Sequence, residues 1–422
     1  MPRPLPPANT SGNAESARRA DAMNTADLEA RIRPDTVLPG DVAPAPGAEP
    51  VPRPGRAVLL TGATGYLGGF LLAELLLRSD GPIYCLVRKD TKEALNRVAA
   101  SLSARGADPR GVRRLTMVRG NLAAPRLGLS DGQHLELART VDAIYHCGAM
   151  VNMVAGYPLL KKPNVDGTME ILRLAGRVRP LPVHYVSTVG VLMGGYAAGL
   201  GAMAEEDPLP GPGGNGYCVS KWVVERLIRQ AADRGLPVTV HRPGAILPDS
   251  ATGLCSSSDW LTQITVASVL AGCSPDHDFL LPVGTADFTS RCIVELASRP
   301  ESAGRVFHII QREPLRLTDY FDRVASCGYR VPTVSYDTWV TAVRALNSVG
   351  PGLVRIAETL PRILLSPPIG RPAYATATAL TAVLGNTVAP PPLDRRYFTT
   401  LLGGLARTGA LPPPASSPSV DS

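Results

Sequence analysis

The run Val58-Leu59-Leu60-Thr61-Gly62-Ala63-Thr64-Gly65-Tyr66-Leu67-Gly68 constrains this chain more than any other segment. A short apolar stretch ends in three glycines spaced three apart, and a helix-compatible sequence from Phe70 to Arg78 follows at once. That is the pattern of strand, tight turn and helix. The glycines let the backbone turn sharply and approach a pyrophosphate, while the unpaired N–H groups and dipole of a helix N-terminus favour the anion. Gly62, Thr64, Gly65, Tyr66, Leu67 and Gly68 are therefore candidate dinucleotide contacts.

The rest of the chain is organised to match. Strand-like runs at 57–61, 83–87, 115–119, 143–146, 183–187 and 238–242 alternate with helical stretches that include 68–78, 92–105, 165–177 and 217–234. Such alternation predicts an α/β fold, a Rossmann-type doubly wound parallel sheet over 56–250 with its ligand at the carboxyl ends of the strands. After Pro248 the pattern loosens through a Ser/Gly-rich stretch at 250–258. Residues 251–410 read as a smaller mixed subdomain that covers the cofactor and shapes the substrate pocket, with 287–296 and 306–310 as candidates to return to the sheet. Residues 1–55 hold eleven prolines and few large apolar side chains beyond a helical hint at 26–32. They read as a disordered tail, as does 411–422.

Composition narrows the function classes. A chain of 422 residues with 45% hydrophobic and 19% charged content reads as a soluble globular protein. Its seven cysteines are odd in number and scattered without a Cys-x-x-Cys pair or a His cluster, so no disulfide framework and no metal site is expected. A reducing cytoplasm fits, and no signal peptide opens the chain. The one long uncharged run, 372–393, is rich in Ala, Thr, Gly and Pro and suits a buried or interfacial segment better than a membrane span. Net charge is +7, but the basic residues are dispersed, which argues against nucleic acid and leaves acidic partners or a phosphorylated cofactor.

An NAD site usually places Asp or Glu at the end of the second strand, about 20 residues past the first glycine, to hold the ribose 2′-hydroxyl. Here that strand ends Cys85-Leu86-Val87-Arg88-Lys89, and two cations in place of the acid suit the 2′-phosphate of NADPH, although Asp90 lies close by. Tyr217 and Lys221, about 155 residues beyond the glycine loop, sit at i and i+4 on one face of a helix. They follow a strand ending Tyr185-Val186-Ser187-Thr188, which puts a hydroxyl at a carboxyl strand end. Thr188, Tyr217 and Lys221 thus form a candidate catalytic set for reducing a C=O group. The ammonium is expected to favour the ionised phenol and make Tyr217 a better proton shuttle, while Thr188 and Tyr217 hydrogen-bond the developing oxyanion. The plainer alternatives are a core tyrosine, a surface lysine and a solvated strand-end arginine.

At these residues the sequence resembles the extended short-chain dehydrogenase/reductases, and within them the thioester reductase branch found as terminal domains of nonribosomal peptide synthetases and carboxylic acid reductases. The resemblance runs from about Leu59 to Tyr329. It rests on the glycine loop, Cys85-Leu86-Val87-Arg88, Gly120-Asn121-Leu122, His146-Cys147-Gly148-Ala149-Met150-Val151-Asn152, Asn164-Val165-Asp166-Gly167-Thr168, Tyr185-Val186-Ser187-Thr188 and Arg242-Pro243-Gly244. It implies Thr188, Tyr217 and Lys221 as the catalytic triad and Arg88 as the 2′-phosphate contact. It also implies Asn121 and Leu122 near adenine, and Gly148, Ala149, Pro243 and Gly244 along the cofactor. Asn121 stands where the family usually has Asp and Pro163 where it has Ala. The C-terminal third matches poorly.

The resemblance implies an NADPH-dependent release of an acyl or peptidyl thioester as aldehyde or alcohol. Its donor is a carrier protein or CoA, and the chain is expected to be either a free-standing enzyme acting on a carrier in trans, which the methionine start favours, or an excised terminal domain. Two other readings stay open. One is another extended-family dehydrogenase or epimerase acting on a sugar nucleotide, a sterol or a free carbonyl. The other is a non-catalytic NADP-binding regulatory or scaffold protein.

Overall fold

Six strands of the central sheet begin and end within a residue of the apolar runs that announce them: β1 (Val58–Thr61), β2 (Ile83–Val87), β3 (Leu115–Arg119), β4 (Ala143–His146), β5 (Val183–Val186) and β6 (Val238–Pro243). A seventh, β7 (Val306–Ile309), pairs with β6 and returns the later chain to the sheet. The strand order is β7-β6-β5-β4-β1-β2-β3 with every pairing parallel, so the order reverses between β1 and β4. Crevices for dinucleotides open at such a reversal. The computed structural model describes residues 27–47, 57–277, 279–346, 354 and 377–414.

Parallel strands covered on both faces bury side chains in both directions. Leu59 of β1 points into one core, with Leu137 of α3 (Asp131–Thr140), Ile171 of α4 (Gly167–Gly176) and Val223 of α5 (Gly216–Asp233). Its neighbours Val58 and Leu60 enter the opposite core. There they meet α1 (Tyr66–Arg78), α2 (Thr91–Ala104) and Cys292 of α7 (Ala286–Ala297), which with α6 (Trp260–Ala271) precedes β7. Segment 287–296 is thus helix on the sheet's flank and not strand. A third core gathers α6, α8 (Leu317–Ser326), α9 (Tyr336–Arg344) and α11 (Arg395–Arg407) around Trp339, Tyr320 and Phe398.

Two expectations for the tails are corrected. Residues 27–47 pack against the sheet's first core, with Ile32, Leu38 and Val42 all 3% exposed or less. Prolines in this stretch read as disorder, but the three apolar side chains insert beside α4 and α5, and α5 satisfies the strap's backbone. The Arg234 guanidinium donates to the carbonyls of Leu38, Pro39 and Val42, and Gln230 accepts from Leu38 N and donates to Thr36 O. At the other end Leu411 is buried in the third core and the Pro412 carbonyl accepts from Tyr329 Oη. The expected disorder at 1–26, 48–55 and 415–422 lies outside the described residues.

Within the uncharged run, 372–376 lies outside them too. The rest forms α10 (Thr378–Leu384) and its exit, with Ala379, Leu380, Leu384 and Val388 buried. Among the described residues no helix is long and apolar enough to cross a membrane. If 27–47 is a structural strap, Leu38→Ala should destabilise the chain by ~2–4 kcal/mol, as for a buried leucine, and lower its urea midpoint. A disordered tail predicts no change.

Candidate active site

The three glycines are fixed by contact distances. Gly62 takes φ +81, and a Cβ there would lie 2.8 Å from the Gly148 nitrogen. A Cβ on Gly68 would lie 2.0 Å from the Gly62 carbonyl oxygen, and Gly65 N donates to that same oxygen at 2.8 Å. Helix α1 opens at N-cap Gly65 with no side chain capping it. Its first N–H groups are left for an anion. Thr64 and Gly65 are exposed, Leu67 packs against the second core, and the Tyr66 hydroxyl donates to Leu254 O.

Beside the loop, a hydrogen-bonded chain ties β1 to β4. Thr61 Oγ1 accepts from Gly148 N at 2.8 Å, and because Thr168 spends its proton on Asn164 O and leaves His146 Nε2 to donate, Thr61 gives its own proton to the unprotonated Nδ1 at 2.7 Å. His146 Nε2–H then donates to Thr168 Oγ1 at 3.0 Å, and that hydroxyl donates to Asn164 O. Burial pushes the His146 pKa down to about 3, which keeps the ring neutral as this chain requires. A Cβ on Gly148 would lie 2.9 Å from Thr61 Oγ1, and Leu122 wedges against Gly148 and Gly167 from below. Ala149 is half-buried next to it. These contacts exclude side chains where β1 and β4 meet, and a backbone so exposed beside the uncapped start of α1 fits a nicotinamide dinucleotide.

The candidate adenosine contacts stand at the ends of β2 and β3. Arg88 is exposed at the end of β2 and makes no ion pair among the described residues. Its neighbours are engaged: Lys89 pairs with Glu93 at 2.7 Å, and Asp90 caps α2 by accepting from Lys92 N and Glu93 N. The Asp90 carboxylate is thus committed to a helix cap. Asn121 is exposed, and its Oδ1 accepts from Ala123 N to close its own turn.

The candidate catalytic residues stand at the end of β5 and on α5, beside the end of β6. Asn215 caps α5 by accepting from Cys218 N, and apolar residues at Val219, Trp222, Val223 and Ile228 bury the helix's inner face. That face brings Lys221 under the end of β5. Lys221 is 3% exposed; its Nζ donates to Val186 O at 2.6 Å and lies 4.5 Å from the Tyr185 ring and 5.9 Å from the Tyr217 ring. Thr188 is half-buried in extended conformation and accepts from Gly190 N. A Cβ built on Gly190 would meet both Thr188 Oγ1 and Cys218 Sγ, so Thr188 stands beside the first turn of α5. Pro243 ends β6 buried, and Gly244 is so close to Pro282 that a Cβ would lie 2.1 Å from its carbonyl oxygen.

Electrostatics differ from the expectation for Tyr217. Burial, with Cys218 and Cys147 nearby, pushes the phenol above its ordinary value instead of lowering it. Burial also brings Lys221 down to about 8, against the raising effects of Cys147 and Glu225. Desolvation outweighs their attraction because the ammonium is almost wholly removed from water. Tyr217 is therefore protonated at neutral pH, ready to give a proton to an oxygen gaining charge.

Asn164 has a role that its place in the Asn-Val motif did not disclose. Its buried amide accepts from Met150 N and donates to Met150 O and Ser220 Oγ, clamping the loop after β4 to the helix of Tyr217. The sequence offered one signal, an asparagine between apolar neighbours where only its hydrogen bonds could compensate burial. Among the described residues no group of three His, Cys, Asp or Glu side chains is placed to hold a metal.

The family model described as male sterility protein, an NAD-binding family, matches residues 60–292. A linear gramicidin synthase from Brevibacillus parabrevis is 37% identical over 367 residues, covering 84% of this chain and 7% of that protein. The isonitrile lipopeptide synthase of Streptomyces coeruleorubidus is 34% identical over 400 residues, covering 90% and 26%. This chain therefore spans a small part of these synthases. Among solved structures, the terminal R domain from the myxalamid PKS-NRPS pathway has a TM-score of 0.85 at 36% identity, covering 92% of this chain and 100% of that one. The reductase domain of a nonribosomal peptide synthetase from Mycobacterium tuberculosis has a TM-score of 0.68 at 28% identity, covering 86% and 94%. The chain belongs to this NAD-binding family, in the thioester reductase branch of the extended short-chain dehydrogenase/reductases, and is an oxidoreductase of that type.

The glycine contacts make one outcome sharp. Gly68→Ala forces a methyl into the Gly62 carbonyl, so nicotinamide cofactor affinity, read by fluorescence titration, should fall at least ~10-fold. Unchanged affinity would mean that the loop holds no cofactor.

Proposed function

We propose that this chain reduces an acyl or peptidyl thioester with NADPH and releases it as an aldehyde or alcohol. The observation that carries the reading is the placement of Tyr217 and Lys221 on one face of α5 under the end of β5, at the same edge of the sheet as the glycine loop. Bound NADPH supplies the hydride. As the thioester oxygen gains charge, Tyr217 gives it the phenolic proton and the Thr188 hydroxyl donates a hydrogen bond. Lys221, with its pKa near 8, supplies positive charge under Tyr217 through the neutral range. The hemithioacetal then loses its thiol, so one thioester, one hydride and one proton give one aldehyde and one thiol.

Several observations support the finer points. Arg88 has no ion-pair partner among the described residues while Lys89 and Asp90 are engaged, which favours a 2′-phosphate ligand. The relatives are peptide and lipopeptide synthases of which this chain matches a part, which supports a carrier-bound substrate presented on a flexible arm. The net charge of +7 suits an acidic carrier. All seven cysteines are free thiols, which suits work in a reducing cytoplasm.

The test is NADPH oxidation with one acyl group offered on a carrier protein, on pantetheine and on CoA, at low and high salt. Turnover is expected with the thioesters, with a carrier preference that shrinks with salt, and Tyr217→Phe should lower kcat by ~10²–10⁴-fold. Turnover of a free ketone or nucleotide sugar without any thioester activity overturns the reading. For the cofactor, Arg88→Ala should weaken NADPH by ~1.5–3 kcal/mol and NADH far less, since only NADPH loses a charge-assisted partner. Equal losses in isothermal titration would remove the 2′-phosphate assignment.

A further inference from the structure

Behind the candidate triad, and outside it, lies a buried carboxylate that touches three of the segments forming the site. Glu225 is one turn past Lys221 on α5, and its side chain and that of Arg242 are 5% and 4% exposed. Glu225 Oε1 accepts from the Ser187 hydroxyl at 2.5 Å and from Arg242 Nε at 3.0 Å, while Oε2 accepts from Arg242 Nη2 at 2.6 Å. Ser187 directly precedes Thr188. Arg242 directly precedes Pro243 and Gly244. The chain continues outward, with Arg242 Nη1 meeting His308 Nε2 at 3.1 Å on β7.

We propose that Glu225 is a positioning residue for the reduction: it fixes the strand end bearing Thr188, the helix bearing Tyr217 and Lys221, and the strand end bearing Pro243 and Gly244 relative to one another. This rests on the reductase reading above. Stability alone does not account for the group, because a buried ion pair is often replaceable by apolar side chains of similar volume at no loss. Two things an apolar replacement cannot do are accept the buried Ser187 hydroxyl beside Thr188 and put negative charge one turn from Lys221. The groups that face Lys221 are Cys147 and neutral His146 from the end of β4, the Tyr185 ring and Val186 carbonyl of β5, and Tyr217 and Glu225 of its own helix. Glu225 is the carboxylate in that set.

Glu225→Gln keeps the shape and removes the charge. With five lysines in the chain, carbon-13 labelling of lysine lets the Lys221 resonance be assigned by its loss in Lys221→Arg. Its midpoint should fall by roughly 0.5–1 pH unit below the wild-type value in Glu225→Gln, and the alkaline limb of kcat should move with it. A midpoint that does not move overturns the proposal. The double variant Glu225→Leu/Arg242→Met separates position from stability: kcat should stay at least ~10-fold low with the KM for NADPH within about 2-fold, even where the melting temperature recovers. Wild-type kcat in a thermally restored double variant also overturns it. If neither Glu225 variant folds, Ser187→Ala, which leaves the ion pair intact, decides the matter: kcat falls several-fold with the KM for NADPH unchanged, or the proposal is wrong. Absence of thioester turnover in the wild type is a failure of the functional reading, and the lysine titration, which needs no turnover, still reports on Glu225.

Discussion

Gly62 and Gly148 bring the ends of β1 and β4 so close that no side chain fits between them, since a Cβ on Gly62 would lie 2.8–3.0 Å from the backbone of residues 147 and 148. The rest of the site depends on that approach. It sets the mouth of the crevice where the strand order reverses, and it brings Thr61 within reach of the Gly148 amide. The tautomer of the neighbouring His146 ring is set at its far nitrogen: Thr168 spends its proton on Asn164 O, so Nε2–H donates to Thr168 and Nδ1 accepts from Thr61. The open end of α1 then faces the same crevice as the carboxyl ends of β5 and β6.

Charge inside this frame is arranged against solvation. Lys221 leaves water to lie against a carbonyl and an aromatic ring, and its pKa falls to about 8. Tyr217 moves the opposite way, because burial disfavours the phenolate as it disfavours the ammonium. The result is a proton donor that stays protonated and a cation poised to lose its charge just above neutrality. Under the proposed reaction such a pair suits an oxygen that gains charge only transiently, since the neutral phenol keeps its proton until then and the ammonium is already charged beside it.

Much of this was legible in the sequence because backbone geometry leaves strong marks. Three glycines at fixed spacing, a strand before them and a helix after them specify close contacts that no other residues permit. Strands β1, β2, β4 and β5 were legible for a related reason, since strands buried on both faces read as largely apolar runs, whereas edge strand β3 is only partly buried. The Ile32, Leu38 and Val42 strap was not, because its three anchors are isolated among prolines and carry no period of 2 or 3.6. The direction of the Tyr217 shift was equally hidden. Spacing at i and i+4 shows that Lys221 shares a face with Tyr217, but how deeply each is buried depends on β5, which spacing does not encode.

The same reasoning explains why the substrate side of the molecule is harder to read than the cofactor side. A dinucleotide is held largely by backbone N–H groups and by one phosphate contact, and backbone sites demand particular residues. An acyl group is held by the shape of side chains, which many sequences can supply. The loop after β4 shows the boundary between the two. Its base, Gly148 to Met150, is held by Thr61 and Asn164, whereas Val151 and Val154 beyond it are 65% and 40% exposed. Asn152 folds this tip by accepting from the amides of Val154 and Ala155, so it has a defined shape without being committed to the core. Ala155 and Tyr157 lie against Gly216 at the start of α5, so the tip's stem is anchored to the helix of Tyr217 while Val151 and Val154 stay exposed and uncommitted. Side chains there carry no backbone mark that a sequence could reveal.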